Sequence, residues 1–162
     1  MTSTEELLEV RLLQVPVPLW SKAQQVSDEL LREFALASAQ ADDDDEHHLP
    51  TRLTTLIDTL TRRFEGVSTE QEQQLMDAAA AGDEVIDELV YLIPPEAGPA
   101  SKELGDMLDE ADIYCQEGQH LLTLAAPEDV VRFRRWYLWS FIDQLSGGKP
   151  VAWPDYDGYW PA

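Results

Sequence analysis

The stretch PEDVVRFRRWYLWSFIDQL, residues 127–145, decides how the rest of the chain folds. Its helical spacing gives two apolar faces, one with Val130, Phe133, Tyr137 and Phe141 and the other with Val131, Leu138, Ile142 and Leu145. A helix that is apolar over most of its circumference is buried, because any side left at the surface would expose apolar area to water. Pro127 suits the first turn, and Gly147 and Gly148 mark the end. The stretch therefore predicts a core helix that other elements must surround.

Length, apolar content and net charge bound the class of protein. The chain has 162 residues, of which 44% are hydrophobic, so a single folded domain is expected. Its net charge of −21 opposes contact with nucleic-acid phosphates or an anionic membrane and favours a basic partner. The charge could equally arise in two simpler ways, since acidic surfaces keep proteins in solution and adaptation to high salt gives a similar bias.

Three features of the sequence bear on location. No run of apolar residues is long enough to cross a bilayer. The N-terminal MTSTEELLEV lacks the basic start and apolar stretch of a secretory signal. Cys115 is the only cysteine, which excludes an internal disulfide and is typical of a reducing compartment. The sequence therefore predicts a cytoplasmic protein.

The periodicity of the remaining chain predicts two strands and four further helices. The strands are expected at 7–15 and 87–93, and the helices at 18–40, 49–64, 68–81 and 100–117. Alternation in the first strand places Val10, Leu12 and Gln14 on one face and Arg11, Leu13 and Val15 on the other. A third strand or a packed turn is expected at 120–124. The dense charge of ADDDDEHH predicts a loop at 41–48.

These elements predict an α+β fold, a predominantly helical single domain with a small two- or three-stranded sheet. The domain is expected to span 1–146, followed by a C-terminal tail at 147–162 that is rich in aromatic residues, proline and glycine. VRLLQVPVP resembles LVYLIPPE, and LIDTL resembles FIDQL, so the chain is also consistent with two strand–helix–helix pseudo-repeats. Coincidence accounts for these short matches equally well.

The residues that could carry catalysis or hold a metal are interpreted as structural. The acids at 41–48 are consecutive and without a glycine turn, whereas calcium loops space their ligands. His120 has no second histidine or cysteine at zinc-ligand spacing, and Cys115 has no basic neighbour. The acids of the helix at 100–117 are typical of an exposed face. We therefore expect no catalytic residue, no metal ligand and no cofactor.

A cluster of cations beside a tryptophan is the first candidate binding site. Arg132 and Arg135 flank Arg134 and precede Trp136 on the core helix. Guanidinium groups bind carboxylates and phosphates bidentately, so an anion-binding pocket is possible near 132–136. The alternative is that these arginines pair with the acidic side chains of the same chain, which has 32 Asp and Glu residues.

The aromatic residues of the tail are the second candidate. They are Trp153, Tyr156, Tyr159 and Trp160. Tryptophan and tyrosine are enriched at the centres of protein–protein interfaces, so these side chains are candidates for contact with a partner. They could equally cover a groove on their own domain.

The segments VRLLQVPVPLWSKAQQVSDELLREFALA and HLLTLAAPEDVVRFRRWYLWSFIDQL resemble a group of small acidic actinobacterial proteins of unknown function. The shared features are the strand, the DELLREF helix and the FRRWYL helix, which cover most of the chain. The group is associated with genes for anti-sigma-factor kinases and for sulfate-transporter/anti-sigma-antagonist domains. The resemblance implies a place in a partner-switching regulatory system. The chain lacks the asparagine and glycine boxes with which those kinases bind ATP, so it is not expected to be one.

The sequence therefore predicts a non-enzymatic, acidic, cytoplasmic protein–protein interaction module with a regulatory role. Its partner is expected to be a basic or regulatory protein, and neither nucleic acid nor a membrane. The competing hypothesis is a small-ligand-binding protein or an enzyme, with an anion-binding pocket near 132–136. A homodimer is a third way to account for the abundance of aromatic residues.

Overall fold

The computed structural model describes residues 7–39, 48–63, 69–116 and 127–161, and within them it has two strands and five α-helices. In chain order these are β1 (Leu8–Pro16), α1 (Val17–Ala39), α2 (His48–Arg63), α3 (Thr69–Ala81), β2 (Val85–Ile93), α4 (Ala97–Gln116) and α5 (Glu128–Leu145). A 3₁₀ turn, Trp153–Asp155, follows in the tail. The predicted class, a predominantly helical α+β fold with a small sheet, is confirmed.

The observed boundaries lie within a few residues of the predicted ones. β1 is shifted by one residue relative to the prediction and ends at Pro16, and β2 begins two residues earlier than predicted, at Val85. The structure leaves the third strand expected at 120–124 and the loop at 41–47 outside its described residues, and His48 already begins α2. Within the described ranges, three helices follow β1 and two follow β2. The pseudo-repeat stays a prediction.

The core helix predicted from the sequence is the centre of the fold. α5 packs against α4, β1 and α1. Its buried side chains come from both predicted apolar faces and from between them: Val130, Phe133, Trp136, Leu138, Ser140 and Phe141. Trp136 is 0% exposed, and its carbonyl oxygen accepts a 2.7 Å hydrogen bond from the Ser140 hydroxyl. A smaller cluster of Leu30, Leu53, Met107 and Ala111 joins α1, α2 and α4.

The two strands pair antiparallel and present one face to α5. Val10 lies opposite Tyr91 and Leu12 opposite Leu89, and all four side chains are buried. Each outer edge of the sheet is met by a glutamine, since a two-stranded sheet leaves backbone groups open on both sides. Gln144 of α5 accepts from the N–H of Arg11 and donates to its carbonyl oxygen, both at 2.8 Å. Gln71 of α3 donates to the carbonyl oxygen of Val90 at 2.5 Å.

The predicted alternation of β1 is correct at its start and wrong at its end. Val10 and Leu12 face the core, but Gln14 is exposed and Val15 is buried. The cause is the backbone of Gln14, whose φ of 55° is left-handed and turns the strand so that the next residue faces inward. This conformation is rare for residues other than glycine, asparagine and aspartate, so the sequence pattern did not indicate it.

Gln14→Val tests the left-handed backbone directly. Valine favours strands in general, but a β-branched side chain is strained at positive φ, so we expect a loss of about 1–2 kcal/mol in the free energy of unfolding. Urea unfolding measures the change. The matched control is Asp87→Val, at an exposed residue of β2 without positive φ, which should be neutral or slightly stabilising. Equal effects of the two substitutions would contradict the assigned backbone conformation.

Candidate functional site

Two of the candidate arginines are engaged by acids of α4. Arg134 Nη2 lies 2.8 Å from Asp109 Oδ1 and 2.8 Å from Asp112 Oδ2. Arg135 Nη2 lies 3.2 Å from Asp109 Oδ2, so this carboxylate bridges both guanidinium groups. The Arg134 side chain is only 12% exposed, which makes its pairing much less screened than a surface ion pair. These four side chains join α4 to α5, and their charges cancel.

The third arginine, Arg132, holds the C-terminal tail. Its guanidinium carbon lies 5.5 Å from the centre of the Trp153 ring and 5.4 Å from that of Tyr156. It also donates a hydrogen bond to the carbonyl oxygen of Tyr156. Cation–π contacts of this length are attractive, and the hydrogen bond fixes the orientation of the guanidinium group. Arg132 is therefore already committed to contacts within its own chain.

The cavity beside these arginines does not have the charge of an anion site. Its volume is about 430 Å³, and the charged side chains that line it are Asp109, Asp112, Glu128, Arg132 and Arg135. Three carboxylates thus face two guanidinium groups, a balance that favours a cation or a zwitterion over an anion. Trp136, which the sequence placed with this pocket, does not line it.

Trp136 instead packs against the start of the tail. Its indole Nε1 donates a 2.8 Å hydrogen bond to the carbonyl oxygen of Val151. Its ring centre lies 5.6 Å from that of Trp153 and 5.8 Å from that of Phe133, distances typical of aromatic pairs. The indole N–H is satisfied and the ring is fully enclosed, so Trp136 is a core residue.

The remaining tail aromatics pack along α5 and α4 to different depths. Tyr156 is buried, with its ring centre 5.5 Å from that of Trp139, and its hydroxyl donates to the carbonyl oxygen of Tyr159. Trp160 is half-buried, whereas Tyr159 is 54% exposed. The tail thus covers a groove on its own domain, which was one of the two interpretations of its aromatic content.

Trp160 lies over a glycine in the middle of α4. Its Nε1 donates to Asp106 Oδ1 at 2.9 Å, and Lys102 Nζ lies 5.8 Å from the ring centre. A Cβ atom at Gly105 would overlap the indole ring, so glycine is required for this close approach. The last aromatic side chain of the tail is therefore fitted into a slot on α4.

The carboxylate of Asp106 makes the attachment of the tail dependent on pH. Burial alone would raise its pKa, but hydrogen bonds from Lys102 and Trp160 outweigh burial and hold that pKa below its ordinary value of 3.8. A lowered pKa in the folded state stabilises the fold above pH 3.8, and this contribution is lost as the pH falls through the folded-state pKa. The carboxylate that accepts the hydrogen bond from Trp160 is therefore ionised at neutral pH.

Sequence reasoning missed the residues that receive these groups, although some left a signal. Gly105 interrupts an otherwise helical pattern, and an isolated glycine in a helix often marks a close packing contact. Asp109 and Asp112 are spaced three apart, which puts both carboxylates on one side of α4. Nothing in the sequence indicated that Gln144 would pair with the backbone of β1.

Neither a metal centre nor a membrane span is found in the part of the chain that the structure describes. No three His, Cys, Asp or Glu side chains there are placed to hold a metal ion. None of the helices there is both long enough and apolar enough to cross a bilayer. His120 lies outside the described residues, as do the acids at 41–47, and the side chain of Cys115 is likewise not described.

Comparison of the chain with protein-family models, curated proteins and solved structures finds no match. The resemblance to small acidic actinobacterial proteins of unknown function, and the partner-switching role that it implies, therefore stay predictions.

A double-mutant cycle tests the packing of Trp160 on Gly105. Gly105→Ala should destabilise the native chain by about 1–3 kcal/mol, because the new methyl group forces the indole ring out of its slot. In a Trp160→Ala background the same substitution should instead stabilise by about 1 kcal/mol, since alanine is the better helix former. Thermal and urea unfolding of the four chains measure both effects. An equal effect of Gly105→Ala in both backgrounds would show that Trp160 does not lie on Gly105.

Proposed function

We propose that this chain is a non-enzymatic, acidic interaction module of the cytoplasm that binds a basic protein partner in a regulatory system. The observation that carries the proposal is the charge of one continuous segment. Residues 69–101 contain eight acidic side chains and no lysine or arginine. The segment comprises α3, β2 and the start of α4, so its charge is concentrated on neighbouring elements.

Four exposed carboxylates lie close together in the sequence, and we call them the acidic face. Asp77 is near the end of α3, Asp83 and Glu84 are in the following turn, and Asp87 is near the start of β2. The turn is held by backbone hydrogen bonds from Asp83 to Ala78 at 2.9 Å and from Gly82 to Ala79 at 3.2 Å. The last turn of α3 has no basic residue, so the negative end of its dipole adds to the field of the acids. A lysine- or arginine-rich surface would complement this face.

Exposed apolar side chains accompany the acids. Met76 is 56% exposed on α3, and Val85 is 49% exposed at the start of β2. A protein partner can bury such side chains, whereas an inorganic cation cannot. Methionine in particular adapts its shape to different partners. The combination of carboxylates with Met76 and Val85 supports a protein partner over an ion.

The tail contributes less to this proposal than its sequence suggested. Trp153 and Tyr156 are occupied by Arg132 and α5, and Trp160 is occupied by α4. Tyr159 is the tail aromatic that remains available to a partner. The proposed contact surface therefore lies on α3 and β2 and not on the tail.

The regulatory part of the proposal comes from the resemblance to proteins associated with anti-sigma-factor kinases. A partner-switching system needs modules that bind one protein and release it, and electrostatic contacts suit this because they form fast and weaken with salt. The charge of −21 also opposes nucleic acid and anionic membranes as partners. It opposes self-association as well, so we expect a monomer in sedimentation at low salt.

Capture from native lysate with charge variants tests the proposal. The first variant neutralises the acidic face through Asp77→Asn, Asp83→Asn, Glu84→Gln and Asp87→Asn. The matched control neutralises four exposed acids elsewhere, through Asp28→Asn, Glu29→Gln, Glu103→Gln and Asp155→Asn. We expect a basic protein that the native chain and the control retain and that the first variant retains roughly tenfold less, as four lost charge contacts predict.

Two results would contradict this function. If the first variant and the control retain the same proteins equally, the acidic face is not the contact surface. If no basic protein is retained by the native chain even at low salt, the module does not bind a basic partner, because low salt strengthens such contacts.

A further inference from the structure

A cavity lined mostly by apolar side chains lies between α2, β2, α4 and α5. Its volume is about 250 Å³, and it is distinct from the charged cavity beside Arg132. Side chains of β2 and α5 form its walls, including Tyr91, Ile93 and Phe141. α4 faces it with the small residues Ala97 and Ala100, which leave the space unfilled.

Besides Ser101, two phenols supply polar groups to the lining of this cavity. The hydroxyl oxygens of Tyr91 and Tyr137 lie 3.1 Å apart, and both residues line the cavity. Each phenol hydroxyl has one hydrogen, and only one of these two hydroxyl hydrogens can lie between the oxygens. Neither hydroxyl has another hydrogen-bond partner among the described residues, so one O–H remains free to donate to a third group.

The two phenols are held rigidly and stay protonated. Both rings contact Phe141 edge-on, with centre distances of 5.1 Å for Tyr91 and 5.2 Å for Tyr137. Burial raises the pKa of both hydroxyls, that of Tyr137 to about 12. The free O–H is therefore a fixed donor throughout the physiological pH range.

Charge and size limit what can occupy the space. The negative charge of Glu72 acts on both phenols, and the cavity lining contains no cation, so an anionic ligand would be repelled. A dry cavity of about 150 Å³ holds benzene, so by proportion a volume of 250 Å³ fits a molecule of roughly ten non-hydrogen atoms.

We propose that this cavity binds a small, neutral, apolar molecule with one hydrogen-bond acceptor, such as an aromatic or alicyclic ketone, which accepts from the Tyr91–Tyr137 pair. This activity is separate from the proposed protein contact, because none of the four carboxylates of the acidic face lines the cavity. Binding of the molecule requires no charge on the protein, whereas the protein contact depends on charge.

The probe is acetophenone, compared with α-methylstyrene and benzoate. α-Methylstyrene has nearly the shape of acetophenone but carries a methylene group in place of the carbonyl oxygen, and benzoate adds a negative charge. Calorimetry or ligand-detected NMR on the full chain should give acetophenone a dissociation constant on the order of a millimolar or less. The hydrogen bond should make it bind about fivefold more tightly than α-methylstyrene. Benzoate should not bind measurably.

Variants locate the site and identify the donor. Ala100→Leu places three carbon atoms in the cavity, so acetophenone affinity should fall at least about tenfold while the melting temperature is kept or raised. Ala79→Leu, at an exposed alanine of α3, is the control and should bind normally. Tyr91→Phe and Tyr137→Phe each leave one hydroxyl and should keep the preference for the ketone. The double variant should bind acetophenone and α-methylstyrene equally.

The proposal is overturned if acetophenone does not bind the folded native chain, or if Ala100→Leu leaves its affinity unchanged. A preference for the ketone that survives in the Tyr91→Phe/Tyr137→Phe variant would overturn the assignment of the donor. Tighter binding of benzoate than of acetophenone would overturn the neutral ligand class. If Ala100→Leu fails to fold, the comparison of the native chain with the two single Phe variants and the double variant still decides the outcome.

Discussion

The burial of α5 is the constraint on which the rest of the structure depends. Its side chains are apolar around most of the helix, and Trp136 can be enclosed only if elements pack on more than one side. β1 covers one side and α4 and α1 cover others. Tyr91 of β2 packs on Phe141, and Trp153 of the tail packs on Trp136. Removing a large ring from such a core typically costs about 3–5 kcal/mol, which shows how much stability depends on this arrangement.

The polar side chains of α5 follow from the same constraint. Arg134 cannot be enclosed as an isolated charge, and Asp109 and Asp112 compensate it from α4. Arg132 is exposed, and its guanidinium group packs on two aromatic rings of the tail. The most basic and aromatic stretch of the chain is thus used within the fold. Residues 69–101, by contrast, contain eight acidic side chains and no lysine or arginine.

The local sequence pattern was enough to predict the helices and strands of this fold. The candidate site, in contrast, depends on contacts between residues that are far apart in the sequence. Helices and strands were placed within a few residues because periodicity, proline and glycine act over short distances. The inversion at Gln14 was missed because its φ of 55° has no signature in the side chain. Whether the tail covered its own domain or a partner could not be decided, since Asp106 and Trp160 are 54 residues apart. The pairing of Tyr91 with Tyr137 required the packing of β2 on α5 to be known.

Amide hydrogen exchange of the full chain tests the central position of α5 most directly. Exchange in a buried, fully packed helix needs global unfolding, whereas exposed helices open locally. The amides of α5 between Phe133 and Ile142 should be among the slowest in the chain, and those of α3, where only Leu75 and Ala78 are buried, should exchange much faster. Exchange of α5 as fast as that of α3 would contradict the account, because the helix would then not be the core around which the other elements pack.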